Sequence, residues 1–128
     1  MLRPGDLTPH FHVTDVHGAL VTYSEFWQRK VLVLIVLPSA EADGSVSTYL
    51  SQLNPHIPTL TAHGAACVVT RDLVDGLPSP GVVIADRWGE IVHIAGGNSS
   101  QDLPPPGELV EWASYVQRQC PECEGESR

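Results

Sequence analysis

Between Val31 and Leu37 the chain runs Val-Leu-Val-Leu-Ile-Val-Leu, seven apolar residues with no polar position among them. Without alternation both faces must be buried, which predicts a central strand in a sheet covered by helices on both sides. Pro38 ends the run, because proline has no N–H to give to a ladder. Upstream the pattern changes. Phe11-His12-Val13-Thr14 and Leu20-Val21-Thr22-Tyr23 alternate apolar and polar about the turn residues Asp15 to Gly18, predicting a small hairpin. Ser24 is placed to cap a short helical turn reaching Arg29.

After the polar stretch Ser39 to Ser45 the period lengthens. Val46, Tyr49, Leu50 and Leu53 fall at i, i+3, i+4 and i+7, the stripe of an amphipathic helix. Pro55 predicts a kink, or a restart with Asn54 as cap; Ile57 and Leu60 carry the stripe on, and Gly64 stops it. Ala65 to Val69 reads as a second buried strand. Gly81 to Ala85 and Glu90 to Ile94 read as strands joined by the turn Asp86 to Gly89. Leu109, Trp112, Ala113 and Val116 mark a last helix from about Gly107 to Gln119.

With 128 residues there is room for one domain and not for two separate cores. Fifteen acidic against seven basic side chains, only one of them lysine, give a net charge of −8. That balance argues against nucleic acid and anionic membrane surfaces, both of which are bound through clustered cations. The seven-residue run is far short of a membrane span, and Met1 to Asp6 lacks the apolar core of a secretory leader. Three cysteines, an odd number, do not suit a secreted disulfide framework. A cytoplasmic protein is the expectation.

The order hairpin, strand, helix, strand, strand pair, helix resembles the thioredoxin fold with an N-terminal hairpin. In its motifs the chain resembles the alkyl hydroperoxide reductase/thiol-specific antioxidant (peroxiredoxin-like, redoxin) family of that superfamily. The similarity is carried by Pro4-Gly5-Asp6 through Pro9, Phe11, Asp15 and Gly18 to Ser24, by Tyr49-Leu50 through Gly64 to Val69, and by Pro80 followed by Val82 to Val92. It spans about residues 4 to 116. It implies an α/β thioredoxin-like fold: a central mixed sheet with an N-terminal β-hairpin and flanking helices. It also implies a cis peptide at Ser79-Pro80, in a loop that binds an extended partner chain. The reactive cysteine of the family sits between the central strand and the first helix, where a helix N-terminus favours thiolate. By spacing from Tyr49, its C-x-x-C positions fall at Asp43 and Val46, and residues 37–46 contain no cysteine. Serine cannot substitute, since a hydroxyl is not redox-active.

Three candidates for chemistry remain. Cys67 falls within a predicted strand, where a free cysteine acts as a small apolar residue. Cys120-Pro121-Glu122-Cys123 is a C-x-x-C in an acidic tail, residues 119–128, that follows the redoxin domain, residues 1–118. It suits a disulfide, or two of the four ligands of a zinc shared across a dimer. Glu122, Glu124 and Glu126 beside it disfavour a thiolate. His10 and His12 share a strand face and read as exposed bystanders rather than ligands; His17, His56, His63 and His93 take no role. Trp112 reads as core, and Trp88 as a contact residue beside the vacant loop.

The expectation is therefore a redoxin-like protein using Cys120 and Cys123 in thiol–disulfide exchange with a thioredoxin-type protein donor, needing no cofactor. The alternatives are an inactive protein-binding module built on the Ser79-Pro80 loop, and a zinc-binding dimer joined through the tail cysteines.

Overall fold

The computed structural model describes residues 2–37, 45–97 and 102–118, without the side chains of Ser45 and Val46. Strands β1 (His12–Thr14) and β2 (Leu20–Thr22) form the expected antiparallel hairpin, Val13 opposite Val21. A 3-10 turn follows at Tyr23–Glu25. Its cap is Thr22 rather than Ser24: the Thr22 N–H donates to the Glu25 carboxylate at 3.3 Å.

The seven-residue apolar run gives β3 (Val31–Val36), with every residue buried. Helix α1 (Ser45–Leu53) passes through a 3-10 turn at Asn54–His56 into α2 (Ile57–Ala62). Pro55 thus tightens the helical path rather than breaking it, because both it and Pro58 stand in first turns, where no N–H is needed. Gly64, at φ +77°, ends the segment as expected. Strands β4 (Ala65–Thr70), β5 (Gly81–Ala85) and β6 (Ile91–Gly96) and helix α3 (Pro106–Arg118) complete the chain.

The four-stranded sheet has the order β4-β3-β5-β6, with β3 parallel to β4 and antiparallel to β5. Central β3 matches the sequence reading; its covering does not. Val31, Val33, Ile35 and Leu37 pack with Tyr49, Leu53, Leu60, Leu109, Ala113 and Val116, so all three helices lie on one face. Leu32, Leu34 and Val36 pack instead with Phe11, Val13 and Tyr23 from the hairpin. The connection from β4 to β5 is the reason: residues 71–80 hold Asp75-Gly76 and two prolines and form no helix to cover the second face.

The N-terminal segment therefore acts as a strap. It pairs with the start of β6 through Gly5 N–H to Ile91 O and Ile91 N–H to Asp6 O, both 2.8 Å. It crosses the sheet and joins the end of β4, where Val16 N–H donates to Val69 O at 2.9 Å and the Thr70 hydroxyl to Thr14 O at 2.7 Å. The architecture is an α/β thioredoxin-like fold with an N-terminal hairpin and a central mixed sheet. No described helix is long and apolar enough to cross a membrane.

Candidate functional site

Register brings three segments to one end of the sheet. Val36, the last residue of β3, pairs with Thr70 at the end of β4 and with Gly81 at the start of β5. Leu37 N–H donates onward to Thr70 O at 2.8 Å. The Ser79-Pro80 peptide immediately before Gly81 is cis, with Pro80 buried and Ser79 exposed. Pro78 lies so close that a Cβ on Gly81 would collide with its carbonyl oxygen, and a Cβ on Gly96 would sit 2.8 Å from its own Cβ. Glycine at both strand ends lets the loop settle onto the sheet. Ser79 and Pro80 thus stand at the end where β3 departs toward α1, as the resemblance implies. Val46 is the second residue of α1; Asp43 lies outside the described residues.

Cys67 is paired with Val33 and sits half-buried on the helix-covered face. Its strand, β4, is at the edge of the sheet rather than in its interior. Burial nevertheless pushes the thiol up to about 12, so it is protonated and unreactive at neutral pH.

The opposite end of the sheet corrects the assignment of Trp88. Ala85 pairs near the start of β3, opposite Leu32, so the turn carrying Trp88 is a strand length away from the Pro80 loop. Trp88 is 41% exposed there, beside Trp27, whose indole N–H donates to Trp88 O at 3.2 Å. His10 packs edge-on to Trp27 at 4.9 Å, and His12 lies 3.2 Å from the Thr22 hydroxyl. As expected, both histidines are exposed while Phe11 and Val13 are buried. Among the described residues no group of three or more His, Cys, Asp or Glu side chains is placed to hold a metal.

Helix α3 also finishes at this end. A Cβ on Gly64, just before β4, would meet the Gln117 amide at 3.2 Å. Cys120 and Cys123 lie outside the described residues, as does all of 119–128. Helix α3 itself is roughly 20 Å long, from its 13 residues.

Sequence reading missed one feature. Between α3 and the outer edge of β6 is a groove of about 550 Å³, floored by Ile91, Val92 and Trp112 and rimmed by Glu90, Glu108 and Glu111. Trp112 is half-buried here, packed against the helix-side core as expected and stacked on His93 at 4.4 Å and 15°. A bulge makes that stack possible: Ala85 pairs with Ile91 and Ile84 with His93, leaving Val92 as an extra residue. The signal was present in the sequence, since Glu108, Glu111, Trp112 and Tyr115 form their own i, i+3, i+4, i+7 stripe beside the apolar one.

No protein-family model matches the chain, and no curated protein does. Solved structures do. A mitochondrial 2-Cys peroxiredoxin from Plasmodium falciparum is 14% identical, with a TM-score of 0.65 over 89% of this chain and 94% of that one. A Chlorobium tepidum protein named for thiol:disulfide interchange, DsbE, is 16% identical, with a TM-score of 0.66 over 91% and 99%. The peroxidoxin BcpB from Mycobacterium tuberculosis is 13% identical, with a TM-score of 0.61 over 93% and 98%. At such identities the likeness is one of fold, and the fold it establishes is thioredoxin-like, shared with several redoxin-type proteins.

Proposed function

We propose that this protein is a redoxin-type thiol–disulfide exchange protein whose working thiols are Cys120 and Cys123. The observation that carries the reading is the placement of its cysteines. Residues 37–46 hold none, and Cys67 is half-buried with its thiol pushed up to about 12. Only the tail pair then has the spacing for a reversible local disulfide. In the exchange, one tail thiolate attacks the partner's disulfide and forms a mixed disulfide, expelling one partner thiolate. The second tail thiolate then breaks that bond, leaving a Cys120–Cys123 disulfide and a reduced partner with two more electrons. A thioredoxin-type dithiol donor returns the two electrons and restores the pair.

The test is exchange with a disulfide-bonded peptide and a thioredoxin-type donor. Cys120→Ser and Cys123→Ser are expected to abolish it, and Cys67→Ser to leave it intact. Undiminished exchange in both tail variants would overturn the reading.

A second reading, an inactive protein-binding module, is favoured by the cis Ser79-Pro80 loop, with Ser79 exposed, in a chain that has no cysteine in residues 37–46. With no cysteine there, the loop would serve binding alone. Turnover of a peroxide or a disulfide by the wild type contradicts this second reading.

A further inference from the structure

The groove beside α3 owes nothing to the cysteines, and its chemistry is distinct. β6 is the outermost strand of the sheet. The protein's own N-terminus already adds to that edge, through Gly5 and Asp6 on Ile91 and a bridge from Leu7 to Glu90. The addition stops there. Among the described residues, the backbone from Val92 to Gly96 has β5 as its only strand partner. The groove of about 550 Å³ meets this edge at Val92, where the paired N-terminus leaves it, and is closed at its other end by Pro4 and Gly5 beside Glu90 and Ile91. An open edge next to a pocket is the arrangement used for strand addition, in which main-chain hydrogen bonds give affinity and the pocket selects a side chain.

The lining says which side chain. Among the described residues it contains Glu90, Glu108 and Glu111 and no lysine or arginine. None of the three carboxylates forms an ion pair with a described residue. Between them stand Trp112 and Tyr115, edge to face at 5.9 Å, with the indole held in place by the stacked His93. Aromatic faces rimmed by carboxylates attract an organic cation, through ring quadrupole and charge together. A second copy of the chain does not fit, because edge-to-edge pairing would set glutamates against glutamates between molecules of net charge −8.

We propose that the free edge of β6 and the α3 groove bind an extended peptide segment of a partner protein, with an arginine or lysine seated on Trp112 and Tyr115 among the three glutamates. The probe is a labelled peptide of about eight residues, the span of one strand, alternating valine and threonine around a central arginine. Three counterparts accompany it: glutamine in place of arginine, the arginine peptide N-methylated at alternate amides, and the chain carrying Glu108→Gln with Glu111→Gln. Binding to the full chain is read by fluorescence anisotropy, with circular dichroism confirming that the variant is folded. The arginine peptide is expected to bind at least about fivefold more tightly than the glutamine one. That advantage should vanish at high salt and in the double variant, and N-methylation should remove binding. Equal affinity for the two peptides, an advantage that survives Glu108→Gln with Glu111→Gln, or undiminished binding of the N-methylated peptide would overturn the proposal. So would concentration-dependent dimerisation of the chain that blocks the peptide, since a second copy would then be the occupant.

Discussion

Gly81 and Gly96 are fixed by what Pro78 needs. Its carbonyl and ring lie against Gly81 and its ring against Gly96, in space that any side chain would occupy. Gly81→Ala should therefore destabilise the fold by about 1–3 kcal/mol, the usual cost of overpacking, which urea denaturation would measure as a lower midpoint with an unchanged slope. Cys67 makes a pH-dependent contribution. Its thiol ionises near 9.0 when unfolded and near 12 in the fold, because burial disfavours the charged form. Its contribution is complete below pH 9 and lost as pH rises through about 12. Tyr23, raised by burial from 10.0 to about 12, acts in the same direction. Stability should fall across this alkaline window, and less steeply in Cys67→Ala, as thermal melts at successive pH values would show.

At the scale of elements, α3 carries two stripes on one helix. Leu109, Ala113 and Val116 face the sheet and are buried, whereas Glu108, Glu111 and Tyr115 are exposed around the groove. Leu109→Ala should cost about 2–5 kcal/mol, as truncation of a fully buried leucine does. Glu111→Gln should change stability by less than about 0.5 kcal/mol, as surface substitutions do; both are read by chemical denaturation. Elements with a strong local period were legible in the sequence: β3 from its unbroken apolar run, α1 and α3 from their spacing, the hairpin from alternation about Asp15 to Gly18. What was not legible depends on pairing between distant segments. Nothing local to Ala65–Thr70 says that β4 is an edge. Nothing local to Trp88 says that its turn lies opposite the Pro80 loop. The groove was half legible, because the acidic and aromatic stripe on α3 is visible but its neighbour, the open edge of β6, follows only from strand order.

Across the whole molecule, one face of the sheet is closed by helices and the other by the strap that runs from Gly5 to Val16. The strap is anchored at both ends, on Ile91 and on Val69, and between them Phe11 and Val13 bury Leu32, Leu34 and Val36. Deleting residues 1–16 should expose that apolar face, giving a chain that binds a hydrophobic dye and aggregates, with light scattering as the readout. The same frame separates the sites. The Pro80 loop is at one end of the sheet, and α3 ends at the other, with Gln117 against Gly64. Whether chemistry is confined to the tail thiols is decided by mass spectrometry after differential alkylation. The folded protein is alkylated before and after reductant, and the modified cysteines are located. A Cys120–Cys123 disulfide that opens on reduction is expected, so that both tail cysteines are labelled only afterwards, while Cys67 stays unlabelled until the protein is unfolded. Tail cysteines labelled equally without reductant after exposure to a disulfide oxidant, or a Cys67 that labels readily in the native protein, would contradict that expectation.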